Sequence, residues 1–171
     1  MRPRIELRSL GSLDLGAVTG WAFGRFAEVR PAVGRWELPR TDPDNIAGAR
    51  VAVLENTLIL WLDEYRPSVL ITAEPFKPRN IGEAIAKFSL LGVVMAECWR
   101  RRIRCMVQPE QTVRKEMLGR GTGPTDQMKA LSLAWAARQG IAVADDNEAE
   151  AAIMWRWARD ELANQYLSRG G

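Results

Sequence analysis

The stretch SLDLGAVTGWAFG, Ser12–Gly24, places a carboxylate, Asp14, at the end of an apolar run and just before a glycine-rich turn. Acids are rarely buried without a partner. Asp14 therefore either caps the turn by accepting nearby backbone N–H groups, or meets compensating groups from elsewhere in the chain. Ile5–Leu15 reads as a first strand, Gly16 and Gly20 mark the turn, and Thr19–Phe26 reads as a second strand returning antiparallel. Val33–Leu38 reads as a third, and Pro39, Pro43 and the TDPDN cluster end this meander.

Asp44 or Asn45 is placed to cap a long helix over Ile46–Tyr65, where Val51, Leu54, Leu58, Trp61 and Leu62 recur at the spacing of one helix face. Pro67 stops it. Ser68–Glu74 (SVLITAE) is a near-continuous apolar run, the pattern of a strand buried on both faces, and it too ends in an acid. After the EPFKPRN loop, a helix is expected over Gly82–Arg101, a short strand over Ile103–Val107, and a helix in PEQTVRKEML with Pro109 near its first turn. GRGTGP reads as a flexible, basic, glycine-rich loop. A helix over Thr125–Gln139 stops at Gly140, and the last helix opens with the acidic run DDNEAE. A meander followed by alternating helix and strand predicts an α/β fold: one five-stranded mixed sheet with helices on both faces, in a single domain spanning the 171 residues. Right-handed crossovers put the strand ending in Glu74 beside the first strand.

Asp14 and Glu74 then project from one edge of the sheet, where ligand sites of open α/β sheets lie. Asp146 and Glu150, four apart, share a helix face. Each acid also has a local reading. Glu74 can be a solvated strand-end residue, and acids favour helix N-termini for capping and dipole reasons. Taken together, three separated segments deliver four carboxylates to one place. Such a group repels itself unless protonated or neutralised by cations, and hard oxygen donors suit Mg²⁺ or Mn²⁺. A pair of such ions can clamp both oxygens of a phosphodiester displacement.

The composition agrees. The chain has no histidine, which excludes Ser-His-Asp triads and His-ligated zinc. Its net charge of +3 and pI near 9.2 are compatible with a polyanionic partner. No apolar run reaches the length of a membrane span, no signal peptide is visible, and two cysteines do not make a disulfide framework, so a cytoplasmic protein is expected.

These segments resemble the RuvC-type Holliday junction resolvases of the RNase H-like superfamily, in the style of phage and mobile elements, over nearly the whole chain. LDLGAVTGWAFG is similar to the family's first-strand pattern, and ITAEPF with IGEAIAKFSLLGVVMAECWRRRI to its second motif. QPEQTVRKEMLGRGTGPTDQMKALSLAWAARQG resembles its basic loop-and-helix segment, and DDNEAEAAIMW its last acidic motif. The resemblance implies a divalent-metal endonuclease that resolves four-way DNA junctions as a homodimer, with Asp14, Glu74, Asp146 and Glu150 as catalytic metal ligands. Glu150 stands where the family has Asp, and Glu148 or Asp145 replaces it in an alternative alignment. The family's functional lysine falls on Thr125, with Lys129 one turn later.

For DNA binding the candidates are Phe76, Lys77 and Arg79 beside Glu74, and Arg114, Lys115, Arg120 and Lys129 in the basic segment. Phe76 suits base stacking or the core. Trp61, Trp99, Trp135 and Trp155 suit the core or a dimer interface. Gly16 and Gly20 would let a phosphate backbone approach. Other expectations remain open: a different RNase H-like nuclease acting on branched DNA or RNA–DNA, or a DNA-binding member with a degenerate site.

Overall fold

In the computed structural model, which describes residues 7–41, 45–75, 78 and 80–167, three antiparallel strands open the chain: β1 (Ser9–Asp14), β2 (Val18–Arg25) and β3 (Ala32–Glu37). Helix α1 (Ile46–Tyr65), β4 (Val69–Glu74), α2 (Ile81–Arg100) and β5 (Arg104–Pro109) follow, then α3 (Glu110–Leu118), α4 (Thr125–Arg138) and α5 (Asp146–Leu167). The sheet order is β3-β2-β1-β4-β5, with β4 parallel to both β1 and β5. The expected five-stranded mixed sheet, and β4 beside β1, are thus what forms.

Strand alternation divides the core in two. Leu10, Val69 and Ile71 face α3, α4 and α5, together with Trp135, Ala152 and Trp155. Leu13 and Leu70 face α1 and α2, together with Leu54, Leu58, Trp61, Leu90 and Val94. That is the period-two rule for a sheet covered on both sides. Buried polar groups on the α5 side find partners, while Trp61 Nε1 on the α1 side has none among the described residues. The Ser12 hydroxyl donates to the Ala151 carbonyl at 2.6 Å, and Trp155 Nε1 donates to the Leu10 carbonyl at 3.0 Å. These two bonds fasten α5 to β1.

Several boundaries move. β1 begins at Ser9, where its ladder with β2 ends at Arg25, and Leu7 and Arg8 precede it outside the strand; Ile5, the expected start, lies outside the described residues. Asn45 caps α1, its side chain accepting from the Gly48 N–H at 2.8 Å. Pro109, expected near the first turn of α3, stands at its N-cap and pairs with Glu74 at the end of β5, so β5 runs two residues past Val107. Gly20 belongs to β2, opposite Asp14. A Cβ there would collide with the Asn147 carbonyl, so Gly20 admits the start of α5 and not a phosphate backbone.

Candidate active site

Asp14 ends β1 and Glu74 ends β4, and the two strands run parallel side by side. A cleft of about 70 Å³ opens beyond them, lined by Asp14, Leu15, Ala73, Glu74, Pro75, Lys87 and Glu110. By strand alternation Asp14 faces the α5 side, with Leu10 and Ser12, while Glu74 faces the α2 side, with Leu70. The cleft therefore straddles the edge of the sheet.

Asp14 is half-buried, and its carboxyl is held well above the usual range. Burial is the largest cause. The charges of Glu110, Glu150 and Asp146 push the same way, and Arg114 alone opposes them. Glu110 is raised too, by burial and by Glu150, against the pull of Arg114 and Lys87. Acids from β1, α3 and α5 thus crowd one volume.

Arg114 is the internal counter-charge. Its guanidinium reaches Glu110 Oε1 at 2.5 Å and Glu150 Oε1 at 3.1 Å. Burial works against the Arg114 charge, but Glu150, Glu110 and Asp14 outweigh it and raise it above its ordinary value. Buried Glu150 also accepts from the Ser132 hydroxyl of α4. Asp146 pairs with Lys129 Nζ at 3.2 Å, one turn past Thr125. Asp145 and Glu148 do something else. Asp145 accepts from the Glu148 N–H at 3.0 Å, and Glu148 accepts from the Ala144 N–H at 2.7 Å, which caps α5 reciprocally. Asp145 also binds Arg35 at 2.5 Å.

The structure therefore brings Asp146, Glu150 and Arg114 within electrostatic reach of Asp14, and puts Glu74 in the same cleft as Asp14. Among the described residues, no three acids stand close enough together to grip a cation as the side chains are placed. The donor chemistry still fits a hard divalent ion. The group is all-oxygen, and the carboxyls of Asp14 and Glu110 are raised by burial and by neighbouring carboxylates whose repulsion a cation would relieve.

Lys115 is exposed on α3. Arg120 is spent on its own loop, donating to the Thr122 carbonyl at 3.2 Å and to Gln127 Oε1 at 3.1 Å. Phe76, Lys77 and Arg79 lie outside the described residues. Sequence reasoning missed Glu110 and Lys87. Glu110 had a signal, since it directly follows a parallel strand beside β4, the same kind of place that Glu74 occupies. Lys87 had none, because only the packing of α2 turns it to the cleft.

The sheet order and the helices on both faces define an RNase H-like fold. Within that class the likeness is to RuvC-type resolvases, in both fold and sequence. The structure of Thermus thermophilus RuvC in complex with a Holliday junction substrate superposes with TM-score 0.67 at 16% identity, over 90% of this chain and 96% of that one. The yeast mitochondrial Holliday junction resolvase Ydc2 gives 0.61 at 12% identity, over 98% and 86%. In sequence, the crossover junction endodeoxyribonuclease RuvC of Pseudarthrobacter chlorophenolicus is 29% identical over 91 residues, 53% of this chain and 47% of that protein. The chain thus spans about half the length of that relative. The RuvC of Paenarthrobacter aurescens is 25% identical over 136 residues, 66% of this chain and 72% of its own length. No family model matches.

Proposed function

We propose that this chain is a structure-selective DNA endonuclease that resolves four-way junctions by hydrolysing phosphodiester bonds with divalent metal. The observation that carries the reading is the crowding of Glu110, Glu150 and Asp146 on Asp14 beyond the strand ends of a RuvC-like sheet. Asp14, Glu74 and Asp146 would hold the metal, Mg²⁺ or Mn²⁺, with room in the chemistry for two ions. Bound there, the metal would supply Lewis acidity toward the phosphate and activate the attacking water.

The protein's own residues do the rest. Glu150 faces inward and Glu148 caps, which supports Glu150 over Glu148 as the fourth acid of the site. Arg114 pairs with both Glu110 and Glu150 and fixes their carboxylates in place. Lys129, which contacts Asp146, is the cation best set to replace the lysine missing at Thr125. Lys115 and Arg120 are exposed and, with Phe76, Lys77 and Arg79 from the sequence after Glu74, are the further candidates for DNA binding.

The exposed face of α2 supports a homodimer. Ile81, Ile85, Phe88, Met95 and Trp99 are exposed at intervals of four, three, seven and four, with Trp99 82% accessible. Gly92 fills the missing step of that seam, with open space above its Cα. An apolar stripe repeating every seven residues is the pattern of helix against helix, and a twofold axis through it presents two clefts for two nicks. Among the described residues no helix is long and apolar enough to cross a membrane, and a cytoplasmic place of action suits the reading.

The degenerate-site alternative has one observation behind it, since Glu150 already has Arg114 and Ser132 as partners. One experiment separates them. Wild type and Asp14→Asn are incubated with a four-way junction, a flap and an RNA–DNA hybrid of matched sequence, in Mg²⁺ and in Mn²⁺. Wild type is expected to cut the junction in preference, nicking both strands within one binding event. Asp14→Asn is expected to bind the junction and leave it uncut. Junction binding without cleavage by wild type would instead mean a binding protein with a drifted site.

A further inference from the structure

We infer that Lys87 of α2 is a substrate-contacting residue of the cleft, its ammonium meeting a phosphate oxygen of the bound backbone. This rests on reading the cleft as a phosphodiester site. A polyanion entering a cleft that already holds Asp14, Glu74 and Glu110 needs a cation on the cleft wall that can leave any partner it has. Among the described residues, the other cations near these acids do not line the cleft. Arg114 lies between Glu110 and Glu150, with its side chain only 22% exposed. Lys129 is paired with Asp146 on the α4–α5 side.

Lys87 lines the cleft itself, from the opposite wall. Its charge is felt by Glu110 across it. The ion pair it makes is with Glu83, one turn back on its own helix, at 2.9 Å, and its side chain is 37% exposed. Such partly exposed pairs at i,i+4 are weak and exchange readily with solvent. Lys87 can leave Glu83 for a phosphate at little cost, which Arg114 cannot do from between its two carboxylates. A lysine suits this role as a compact point charge on a flexible stem. Lys87 also directly precedes Phe88 of the proposed dimer seam, so α2 would carry the interface on one face and a substrate contact on the next.

The test measures binding without divalent metal, in chelator, against salt concentration. Wild type, Lys87→Met, Lys87→Arg and Glu83→Gln are each titrated with a four-way junction and with a linear duplex of matched sequence. Loss of one phosphate contact lowers the slope of log K against log salt by about 0.9. That loss is expected for Lys87→Met, with the wild-type slope kept in Lys87→Arg and in Glu83→Gln. An unchanged slope in Lys87→Met overturns the inference, and so does an equal loss in Glu83→Gln, which would make the lysine a helix-pairing residue. Thermal melting of each variant separates a folding defect from a lost contact. If wild type shows no preference for the junction, the proposed function falls, while the duplex slopes still decide Lys87.

Discussion

The acids that open α5 and the acids that lie beyond β1 and β5 carry the same functional group with opposite electrostatics. Asp145 titrates below its ordinary value. Burial alone would raise it, but the Glu148 N–H, the Asn147 amide and Arg35 together pull it down. Asp14 and Glu110 titrate above theirs, because burial and neighbouring carboxylates both disfavour their charge. A capping acid is surrounded by donors and stabilises the fold on its own. The crowded acids are a liability in the metal-free protein, and only a ligand of positive charge makes sense of them.

Three changes sharpen that contrast. The largest effect is expected from Glu150→Ala, which strips Arg114 of one carboxylate and leaves the Ser132 hydroxyl facing a void. Breaking a buried pair from one side costs about 3–5 kcal/mol, readable as a lower urea midpoint. A loss below 1 kcal/mol would mean that Glu110 alone satisfies Arg114.

Next comes Asp14→Asn in metal-free protein. A raised carboxyl contributes stability that is complete below the unfolded value near pH 4 and is lost as pH rises through the folded value. Wild type should therefore weaken as pH rises through the raised value. Asp14→Asn should be the more stable protein at pH 7, with a flatter profile. A destabilised Asn variant would show that Asp14 is paired and not crowded.

The smallest effect is expected at the cap. Asp145→Ala should cost about 1 kcal/mol, and cleavage by the folded enzyme should persist. Because the Asp145 carboxyl is lowered, its contribution is present above the unfolded value and is lost as pH falls through the folded one. The variant should therefore be missing a low-pH loss that wild type shows. Loss of cleavage in Asp145→Ala would move Asp145 from the cap into the site.

Much of this was legible beforehand. The meander, β4 beside β1 and the strand-end positions of Asp14 and Glu74 all followed from alternation and turn residues. The assignment of α5's acids did not. Asp145, Asp146, Glu148 and Glu150 are interchangeable as a composition, and rotation about the helix axis decides which of them meets solvent, backbone or Arg114. Glu110 was not singled out, although its place directly after β5 marks it. On α2 the apolar period shows which residues share a stripe, not whether that stripe is covered. Trp61, Trp135 and Trp155 are buried, while Trp99 at the same kind of spacing is bare.

The sequence by itself determined the order of elements, the acids at the ends of β1 and β4, the capping signals of α1 and α5, and the absence of histidine from any chemistry. Those depend on residues next to one another or a turn apart, where hydrogen bonds and steric fit are local. Only the tertiary structure decided that Gly20 makes way for Asn147, that Glu150 meets Arg114, and that Lys87 joins Asp14 and Glu74 in one cleft. Those depend on desolvation and charge acting through space between β1, β4, α2, α3 and α5, and no spacing along the chain encodes them.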